Sequence, residues 1–333
     1  MKNKIKFGVI GCSRIAKDSV IPAIKNSEFA ELQMIGSRSV DKAAEFARYF
    51  SCKNYGTYEE VIDNKNLDAV YVSVPVGLHE EWTIKAANAG KHVLCEKSST
   101  VSYESAKRMV QTCKENNVRI MEGLMFRFHP QHLKVLELIQ KRKLGDLFVF
   151  NGFYGFPPMS HDDIRYKKEL GGGVFNDAGC YPICASRIIF GEEPTEVLCN
   201  FVMDHDSGVD SKATIFLKYG KTKFAQMAVG YDLFFQSTYS VWGSNGSVQL
   251  RRSYNIPPDE KAKLFLHVNT EIEEITIEPH NHFTAMVDSF CHEVTGSAVC
   301  SFNFEEDLLK QAKVMQAARI SNDKQCFVKI NEL

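Results

Sequence analysis

The sequence predicts an α/β protein in which a doubly wound parallel sheet is followed by an α/β domain with a large, open and mainly antiparallel sheet. Up to Glu122, short apolar strands alternate with helical segments, which is typical of a parallel sheet with helices on both faces. From Leu147 onwards, strand-like segments follow one another directly, which indicates an antiparallel sheet with one free face. This change predicts two domains, 1–122 and 123–333, and a chain of 333 residues is long enough for both.

The parallel part is predicted to contain short apolar strands with helices between them, as expected for strands buried on both faces. The strands are Lys4–Gly11, Leu32–Ser37, Asp68–Pro75, His92–Cys95 and Val118–Glu122. The helices are Ser13–Asn26, Asp41–Phe50, a short helix opened by the capping-box pattern Thr57-x-x-Glu60, Leu78–Ala89 and a helix that begins near Ser102. Right-handed crossovers bring the carboxyl ends of the strands to one edge, which is where ligands bind in such sheets.

The C-terminal part is predicted to begin with a helix, to continue as a run of strands and to end with two helices. The helices are Gln131–Lys143, an amphipathic helix from Phe283 to Val294, and one capped by Asn303 that runs through Arg319. The strands are Leu147–Phe156, Glu196–Met203, Ala213–Tyr219, Lys223–Val229, Thr238–Trp242, Ser247–Leu250, Lys261–Val268 and Glu271–Ile277.

Charge and cysteine content indicate a cytoplasmic protein that binds small molecules. The 40 basic residues balance the 41 acidic ones, so no overall field favours nucleic acid or an anionic membrane. The 10 cysteines include no Cys-x-x-Cys pair, which favours reduced, buried thiols over a zinc site. The N-terminus lacks a signal-peptide pattern, and no apolar run reaches the length of a membrane span.

The turn after the first strand predicts a dinucleotide site. It reads Gly11-Cys12-Ser13-Arg14-Ile15-Ala16, which matches the fingerprint G-x-G-x-x-A except that Ser13 replaces the second glycine. In that fingerprint the first glycine makes the tight turn and the helix that follows receives the pyrophosphate. We therefore expect cofactor contacts from Gly11, Ser13, Arg14 and Ile15, although a tight strand-to-helix turn alone would explain the same residues.

The end of the second strand favours NADP, with NAD as the other possibility. An NAD enzyme usually carries an acidic residue there for the ribose hydroxyls. This chain has Ser37 and Arg38 instead, and a hydroxyl with a planar guanidinium suits a 2′-phosphate. The alternative is that Arg38 simply faces solvent.

The stretch Ala89–Lys97 reads as a helix end, a buried strand and two charged residues. Gly90 suits the left-handed position that closes a helix, and His92–Cys95 is apolar. Glu96 and Lys97 follow at the carboxyl end of that strand, where an acid and an amine are candidate site residues. A solvated Glu-Lys pair is the alternative interpretation.

Three passages resemble the Gfo/Idh/MocA family, the relatives of glucose-fructose oxidoreductase, inositol dehydrogenase and dihydrodiol dehydrogenase, along nearly the whole chain. Ala89–Lys97 is similar to the family pattern AGKHVLCEKP, and Val74–His79 is similar to TPNxxH. Gly171–Pro182, which reads GGGVFNDAGCYP, is similar to GGGxxxDxGxY/H. The resemblance implies a Rossmann domain followed by an α/β domain with an open sheet, in agreement with the strand pattern.

The resemblance implies that Lys97 is the catalytic lysine and that Asp177 and Tyr181 complete the site. An ammonium beside the substrate oxygen stabilises negative charge, and a nearby lysine favours the phenolate of a tyrosine whose ordinary pKa is about 10. Asp177 could bind a sugar hydroxyl or hold Lys97, and the alternative for Tyr181 is an ordinary aromatic residue at a helix start.

Other candidates follow from the same motifs and from the loops beside them. Pro75, His79 and Glu96 are expected at the cofactor edge, with a helix-start cap as the alternative for His79. Candidate substrate contacts, each with structural pairing or solvent exposure as the alternative, are Arg127, His161, Arg165 and Tyr166.

These observations predict an NAD(P)-dependent oxidoreductase that transfers hydride between nicotinamide and a carbohydrate or related polyol or ketone, including a nucleotide-linked sugar. A non-catalytic sensor or regulatory subunit that holds NADP(H) is the alternative.

Three departures from the family patterns, Ser13, Val76 and Ser98, lie where they affect cofactor placement. A homodimer or homotetramer is expected through the free face of the C-terminal sheet, near Phe201, Met203, Phe216, Phe224 and Met227.

Overall fold

The computed structural model describes residues 4–160, 162–298 and 300–333. Contacts divide the chain into two compact units. The N-terminal unit comprises the chain up to Met125 together with His282–Leu309, and the C-terminal unit comprises Phe126–Asn281 and Lys310–Leu333. The α-helices are α1 Ile21–Asn26, α2 Val40–Phe50, α3 Tyr58–Asp63, α4 His79–Asn88, α5 Tyr103–Glu115, α6 Pro130–Gln140, α7 Cys180–Phe190, α8 His282–Thr295 and α9 Phe304–Lys324.

The N-terminal unit contains a six-stranded parallel sheet, which confirms the predicted doubly wound arrangement. Its strands are β1 Ile5–Ile10, β2 Ala30–Gly36, β3 Asn54–Gly56, β4 Ala69–Val72, β5 His92–Cys95 and β6 Ile120–Glu122. They lie in the order β3-β2-β1-β4-β5-β6, which is the order of a dinucleotide-binding Rossmann fold. The short edge strand β3 is absent from the prediction.

Two predicted helix starts in this unit are present as expected. The Thr57 hydroxyl accepts a hydrogen bond from the Glu60 N–H at 3.2 Å, and the Glu60 carboxylate accepts one from the Thr57 N–H at 2.6 Å, which is a complete capping box. Ser102 caps α5 by accepting from the Ser105 N–H at 3.1 Å. The first helical segment differs from an ordinary α-helix, because a π-helical turn at Ala16–Val20 precedes α1.

The segment 282–309 belongs to the N-terminal unit, whereas the predicted boundary placed everything after residue 122 in one domain. The apolar face of α8 supplies the reason. The Phe290 ring lies 5.7 Å from that of Phe7 in β1, and Asp288 accepts a hydrogen bond from the Ser27 hydroxyl at 2.5 Å. The spacing of apolar residues predicts that α8 has a buried face, but it does not specify which sheet covers that face.

The C-terminal unit contains a nine-stranded open sheet, which confirms the predicted second sheet. Its strands are β7 Leu147–Gly155, β8 Glu196–Met203, β9 Asp210–Tyr219, β10 Lys223–Gly230, β11 Gln236–Gly243, β12 Gly246–Leu250, β13 Ala262–Val268, β14 Glu271–Ile277 and β15 Val328–Lys329. The order is β14-β13-β12-β11-β7-β10-β9-β8-β15. The sheet is mixed, because β7 and β10 pair in parallel while the other neighbours pair antiparallel.

One face of this sheet carries exposed aromatic residues around a groove of about 420 Å³. Trp242 is 57% exposed and Phe148 is 46% exposed, which is unusual for side chains of this size. The groove is lined by Phe148, Val149, Asn151, Phe216, Phe224, Gln226 and Trp242. The expectation that Met227 and Phe201 lie near this face is wrong, because side chains alternate along a strand. Met227 is buried at 3% exposure, and the Phe201 ring lies on the covered face, 4.9 Å from the ring of buried Phe175.

Among the described residues, no helix is long and apolar enough to cross a membrane. All ten cysteines are free thiols, and seven of them are buried.

Candidate active site

The turn after β1 packs closely against the turn after β4. Gly11 has a φ angle of +111°, and a Cβ at this position would lie 2.5 Å from the Ser73 carbonyl oxygen. The Ser13 hydroxyl lies 2.5 Å from the Ser73 hydroxyl and accepts a hydrogen bond from the Ala16 N–H at 3.0 Å. The serine that replaces the second glycine of the fingerprint therefore joins two strand ends and caps the helix that follows.

This contact lies at the point of the sheet where the strand order reverses. Strands β1 and β4 are neighbours, and the chain continues outward from each of them in opposite directions. In open parallel sheets this position holds the ligand crevice. Arg14 is exposed and Ile15 is half-buried where the helical segment begins, so two further predicted cofactor residues lie at this strand end.

The end of β2 presents a buried hydroxyl followed by an exposed guanidinium. Ser37 is 5% exposed and accepts a hydrogen bond from the Ser39 N–H at 3.3 Å. Arg38 is exposed and lies beside Tyr58, where burial raises the pKa of the phenol and the Arg38 charge opposes that rise. The end of β2 therefore carries a positive charge, and neither Ser37 nor Arg38 is an acidic residue.

His79 connects the ends of two neighbouring strands. Its Nε2 lies 2.8 Å from the Val74 carbonyl oxygen, and its Nδ1 lies 3.0 Å from the Ser98 carbonyl oxygen. The ring is 1% exposed, and this burial lowers its pKa to about 4 in spite of the two carbonyl acceptors. His79 therefore lies between the loop that contains Pro75 and the loop that follows Lys97, and the neutral ring donates a hydrogen bond to one of the two carbonyl oxygens.

Glu96 and Lys97 follow β5 at the same edge. Glu96 is 8% exposed and accepts a hydrogen bond from the Tyr71 hydroxyl at 2.6 Å. Its other carboxylate oxygen accepts one from the Lys97 N–H at 3.2 Å. Lys97 is half-buried, and its peptide bond to Ser98 is cis. Glu96 thus fixes the backbone that carries the lysine.

In the C-terminal unit, Asp177 and Arg165 form an ion pair. Arg165 Nε donates to Asp177 Oδ2 at 2.6 Å, and the other end of the guanidinium contacts Asp163 at 3.2 Å. The Tyr231 hydroxyl lies 3.5 Å from the same oxygen of Asp177. The side chains of Arg165 and Asp177 are 27% and 15% exposed, so solvent screens the pair only in part.

The glycines before Asp177 allow this ion pair to form. Gly172 lies against the backbone of Arg165, where a Cβ would come within 2.5 Å of the Arg165 carbonyl oxygen. Asp177 itself lies in a π-helical turn, Phe175–Gly179, that leads directly into α7. Residues four apart share a face in an ordinary α-helix, but the wider π turn changes this register between Asp177 and Tyr181.

Tyr181 lies in the first turn of α7 within a cluster of aromatic rings. Its ring is 5.1 Å from Tyr154, 5.7 Å from Tyr254 and 5.9 Å from Phe126. Edge-to-face and tilted contacts of this kind restrict the orientation of the ring. At 4% exposure Tyr181 is almost completely buried in the structure.

The remaining candidates have different surroundings. Tyr166 is 7% exposed, its hydroxyl lies 3.4 Å from an Asp232 oxygen, and burial raises its pKa. Arg127 is half-buried in a short 3₁₀ turn. His129 caps α6 by accepting from the Gln131 N–H at 3.2 Å, and burial together with His280 lowers its pKa to about 4. His161 lies outside the described residues.

Several residues of these networks were not identified from the sequence. Ser73, Tyr71, Asp163 and Tyr231 each contact a predicted site residue. Ser73 and Tyr71 both lie within the predicted strand Asp68–Pro75, so the sequence could have placed them near the carboxyl end of that strand. Tyr231 gives no local signal, because it is 54 residues from Asp177 in the chain.

Comparison with known proteins connects both units to one group of enzymes. Residues 5–124 match the family described as "Oxidoreductase family, NAD-binding Rossmann fold". Residues 132–249 match the "GFO/IDH/MocA C-terminal domain".

Among curated relatives, a dTDP-3,4-didehydro-2,6-dideoxy-alpha-D-glucose 3-reductase of Saccharopolyspora spinosa is 30% identical over 95% of this chain and 97% of its own length. A D-xylose 1-dehydrogenase (NADP(+)) of Haloferax volcanii is 32% identical over 86% of this chain and 88% of its own.

A solved structure, that of a 3-ketoreductase from Actinomadura kijaniata in complex with NADP and TDP-benzene, has a TM-score of 0.92. It is 30% identical to this chain and covers 96% of it, with 98% of that protein matched. Together with the six-stranded Rossmann sheet and the open nine-stranded sheet, these matches show that the chain belongs to the GFO/IDH/MocA family of oxidoreductases.

Proposed function

We propose that this protein transfers hydride between NADP and a carbohydrate, and that a nucleotide-linked keto sugar is its first substrate class to test. The observation that carries the proposal is the retention of Lys97, Asp177 and Tyr181 in a chain that is similar over 95% of its length to a dTDP-sugar 3-reductase. Reduction of a ketone and oxidation of the corresponding alcohol use the same groups in opposite directions.

The residues at the edge of the parallel sheet fit a dinucleotide phosphate. The close approach of Gly11 to the Ser73 backbone makes the tight turn that the dinucleotide fingerprint requires. We assign Gly11, Ser13, Arg14 and Ile15 to the pyrophosphate. Pro75, His79 and Glu96 are assigned to the nicotinamide edge, the last two through the backbone that they stabilise.

The 2′-phosphate is assigned to Ser37 and Arg38. Arg38 is exposed at the end of β2, where its planar, permanently charged fork can bind two phosphate oxygens. NADP in two of the relatives' names supports this choice over NAD. When bound, the nicotinamide supplies or accepts the hydride.

The acid–base roles are assigned to Lys97 and Tyr181. The Lys97 ammonium stabilises the negative charge that develops on the substrate oxygen, and the Tyr181 hydroxyl gives or takes the proton of that oxygen. A cation near a phenol lowers its pKa from about 10 towards neutrality, so the lysine also makes the tyrosine a better base.

Asp177 is assigned to orienting the sugar. Its carboxylate is already neutralised in part by Arg165, so it is better suited to accept a hydrogen bond from a sugar hydroxyl than to act as the proton acceptor. Arg165 adds donors next to it, and the pair offers both acceptors and donors to neighbouring hydroxyls. Arg127, Tyr166 and His161 remain candidate contacts to the substrate.

We further infer a cytoplasmic homo-oligomer, a dimer or tetramer, that associates through the exposed face of the nine-stranded sheet. Trp242 and Phe148 on that face support an interface, because exposed apolar patches of this kind commonly mark protein contacts. Ten unpaired cysteines support a reducing compartment.

The test uses Lys97→Met and Tyr181→Phe beside the unmodified protein. NADPH binding is measured by calorimetry, and NADPH oxidation is followed with dTDP-linked keto sugars, while NADP⁺ reduction is followed with D-xylose and other aldoses. The proposal expects both variants to bind NADPH normally and to lose turnover by at least about a hundredfold. If the unmodified protein binds NADPH but turns over none of these sugars, a sensor or regulatory subunit is the better description.

A further inference from the structure

Asp210, the first residue of β9, contacts the turn that precedes the Asp177 helix. Its carboxylate accepts a hydrogen bond from the Phe175 N–H at 2.6 Å. Phe175 is the first residue of the π-helical turn, so the bond satisfies one of the N–H groups that have no partner within the helix. No motif in the sequence marks Asp210 for this position, and it lies 35 residues from Phe175.

Gly173 brings the carboxylate still closer to this turn. It has a φ angle of +115°, and a Cβ at this position would lie 2.2 Å from Asp210 Oδ1. The Gly173 carbonyl oxygen in turn accepts a hydrogen bond from the Asp177 N–H at 3.1 Å. The Asp210 carboxylate therefore lies against Gly173, the residue whose carbonyl oxygen binds the Asp177 N–H. The third glycine of the Gly-Gly-Gly motif is needed because a side chain there would collide with the carboxylate.

Arg319 of α9 supplies the opposite charge to the same cluster. Its guanidinium donates to the Asn176 side chain at 2.5 Å and lies 5.3 Å from the centre of the Phe175 ring. Asn176 donates to the Gly171 carbonyl oxygen at 2.9 Å. Side chains from β9 and α9 thus hold the segment 171–176 at Phe175 and Asn176, and the Asn176 side chain in turn holds Gly171.

We propose that Asp210 is a positioning residue for the reaction, because its carboxylate fixes the Gly173–Phe175 turn and thereby the place of Asp177. The inference rests on the role of Asp177 assigned above. Asp210 acts on Asp177 through the backbone of the turn and not through a contact between the two side chains. Loss of the carboxylate releases the Phe175 N–H and displaces Asp177 from its partner Arg165.

Asp210 titrates in a different pH range from the charged and titratable groups around it. Burial raises the pKa of Asp210 to about 6, and the Phe175 N–H and the Arg319 charge oppose that rise. Arg319 keeps its charge at this pH, since burial lowers its pKa only to about 10. The Cys199 thiol and the Tyr231 phenol, which also face this cluster, have raised pKa values and are neutral near pH 6.

The experiment compares Asp210→Ala and Asp210→Asn with the unmodified protein. Amide hydrogen exchange of 173–181 is measured by mass spectrometry, and kcat and KM are measured from pH 5 to pH 8. Asp210→Ala is expected to exchange about tenfold faster at this segment and to lose about tenfold in kcat with NADPH binding unchanged. Asp210→Asn keeps an acceptor for the Phe175 N–H, as a protonated Asp210 also does, so it is expected to fold, to keep the exchange rate and kcat within about threefold of the unmodified protein, and to show the same dependence of kcat on pH.

Asp206→Asn is the matched control, because Asp206 is an exposed carboxylate in the loop between β8 and β9. It is expected to behave as the unmodified protein in both measurements. The inference is overturned if Asp210→Asn loses as much kcat as Asp210→Ala, or if Asp210→Ala shows unchanged exchange at 173–181. Asp177→Asn is assayed in parallel. Full activity in that variant would remove the assigned role of Asp177, while the exchange data would still test the contact of Asp210 with the turn.

Discussion

Arg165 donates a 2.6 Å hydrogen bond from Nε to Oδ2 of Asp177. The sequence identified both residues as candidates, but for different roles and without pairing them. The pair forms because Gly172 lets the loop that contains Arg165 pass directly beside the start of the Asp177 turn. An ion pair at this position orients Asp177 before any substrate is present, and such preorganisation reduces the cost of binding in a defined geometry.

Replacement of Arg165 by methionine is expected to destabilise the protein and to lower its activity. The substitution leaves the partly buried Asp177 carboxylate without its charged donor Arg165, which costs about 2 kcal/mol in the free energy of unfolding. A displaced Asp177 is expected to lower kcat/KM by about a hundredfold. Urea denaturation and steady-state kinetics measure the two effects separately.

Tyr231→Phe is the matched comparison for that variant. Its hydroxyl lies 3.5 Å from the same Asp177 oxygen, which is too long for a strong hydrogen bond. We expect a change in kcat/KM of less than about threefold. Equal losses in Arg165→Met and Tyr231→Phe would contradict the assignment of Arg165 as the main partner of Asp177.

Replacement of Arg38 by alanine is expected to weaken NADPH binding about thirtyfold and NADH binding by less than about threefold. The difference arises because only NADPH has the 2′-phosphate, which accepts charge-assisted hydrogen bonds from a guanidinium. Isothermal titration with each cofactor measures both constants. Arg48→Ala removes an equally exposed arginine from the last turn of α2 and controls for general charge. Equal losses for the two cofactors in Arg38→Ala would exclude the proposed contact.

The sequence predicted the parts of the fold that depend on neighbouring residues. The strand His92–Cys95 and the capping box at Thr57 were predicted correctly because each is defined by a short local pattern. Three elements were missed, and one of them, β15 Val328–Lys329, has only two residues. The strand Asn54–Gly56 has only three residues and no apolar run, and α7 is buried on nearly all sides, so it lacks the amphipathic spacing that marks a surface helix.

The candidate site was predictable in its motifs but not in its supporting contacts. Glu96 and Lys97 could be placed at a strand end because the strand immediately precedes them. The residues that hold the motif residues in place are distant in sequence: Ser73 is 60 residues from Ser13, and Asp210 is 35 residues from Phe175. Such contacts depend on the tertiary fold, which no local spacing in a single sequence encodes.

Replacement of Trp242 by glutamate is expected to dissociate the proposed oligomer. A charge in the centre of an apolar interface loses its hydration without gaining a partner, and this cost opposes association. Size-exclusion chromatography with light scattering measures the mass directly. Leu133→Glu changes a residue of α6 that is 64% exposed and lies outside the sheet, so it should leave the mass unchanged. A monomeric unmodified protein, or an oligomer that persists in Trp242→Glu, would contradict the proposed interface.

Replacement of His79 by glutamine is expected to make the stability of the protein less sensitive to acid. Burial lowers the pKa of His79 from 6.5 in the unfolded chain to about 4 in the fold, so the fold favours the neutral ring. The neutral ring contributes its full stability above pH 6.5, and this contribution is lost as the pH falls towards 4. A shift of this size corresponds to about 3 kcal/mol.

Urea denaturation of His79→Gln and the unmodified protein at intervals from pH 7 to pH 4 measures this contribution. Glutamine keeps a donor for one of the two carbonyl oxygens but does not titrate, so the difference in unfolding free energy between the proteins should change by about 3 kcal/mol across this range. His205→Gln, at a fully exposed histidine, should show no such change. A constant difference between His79→Gln and the unmodified protein would mean that the fold does not lower the pKa of His79.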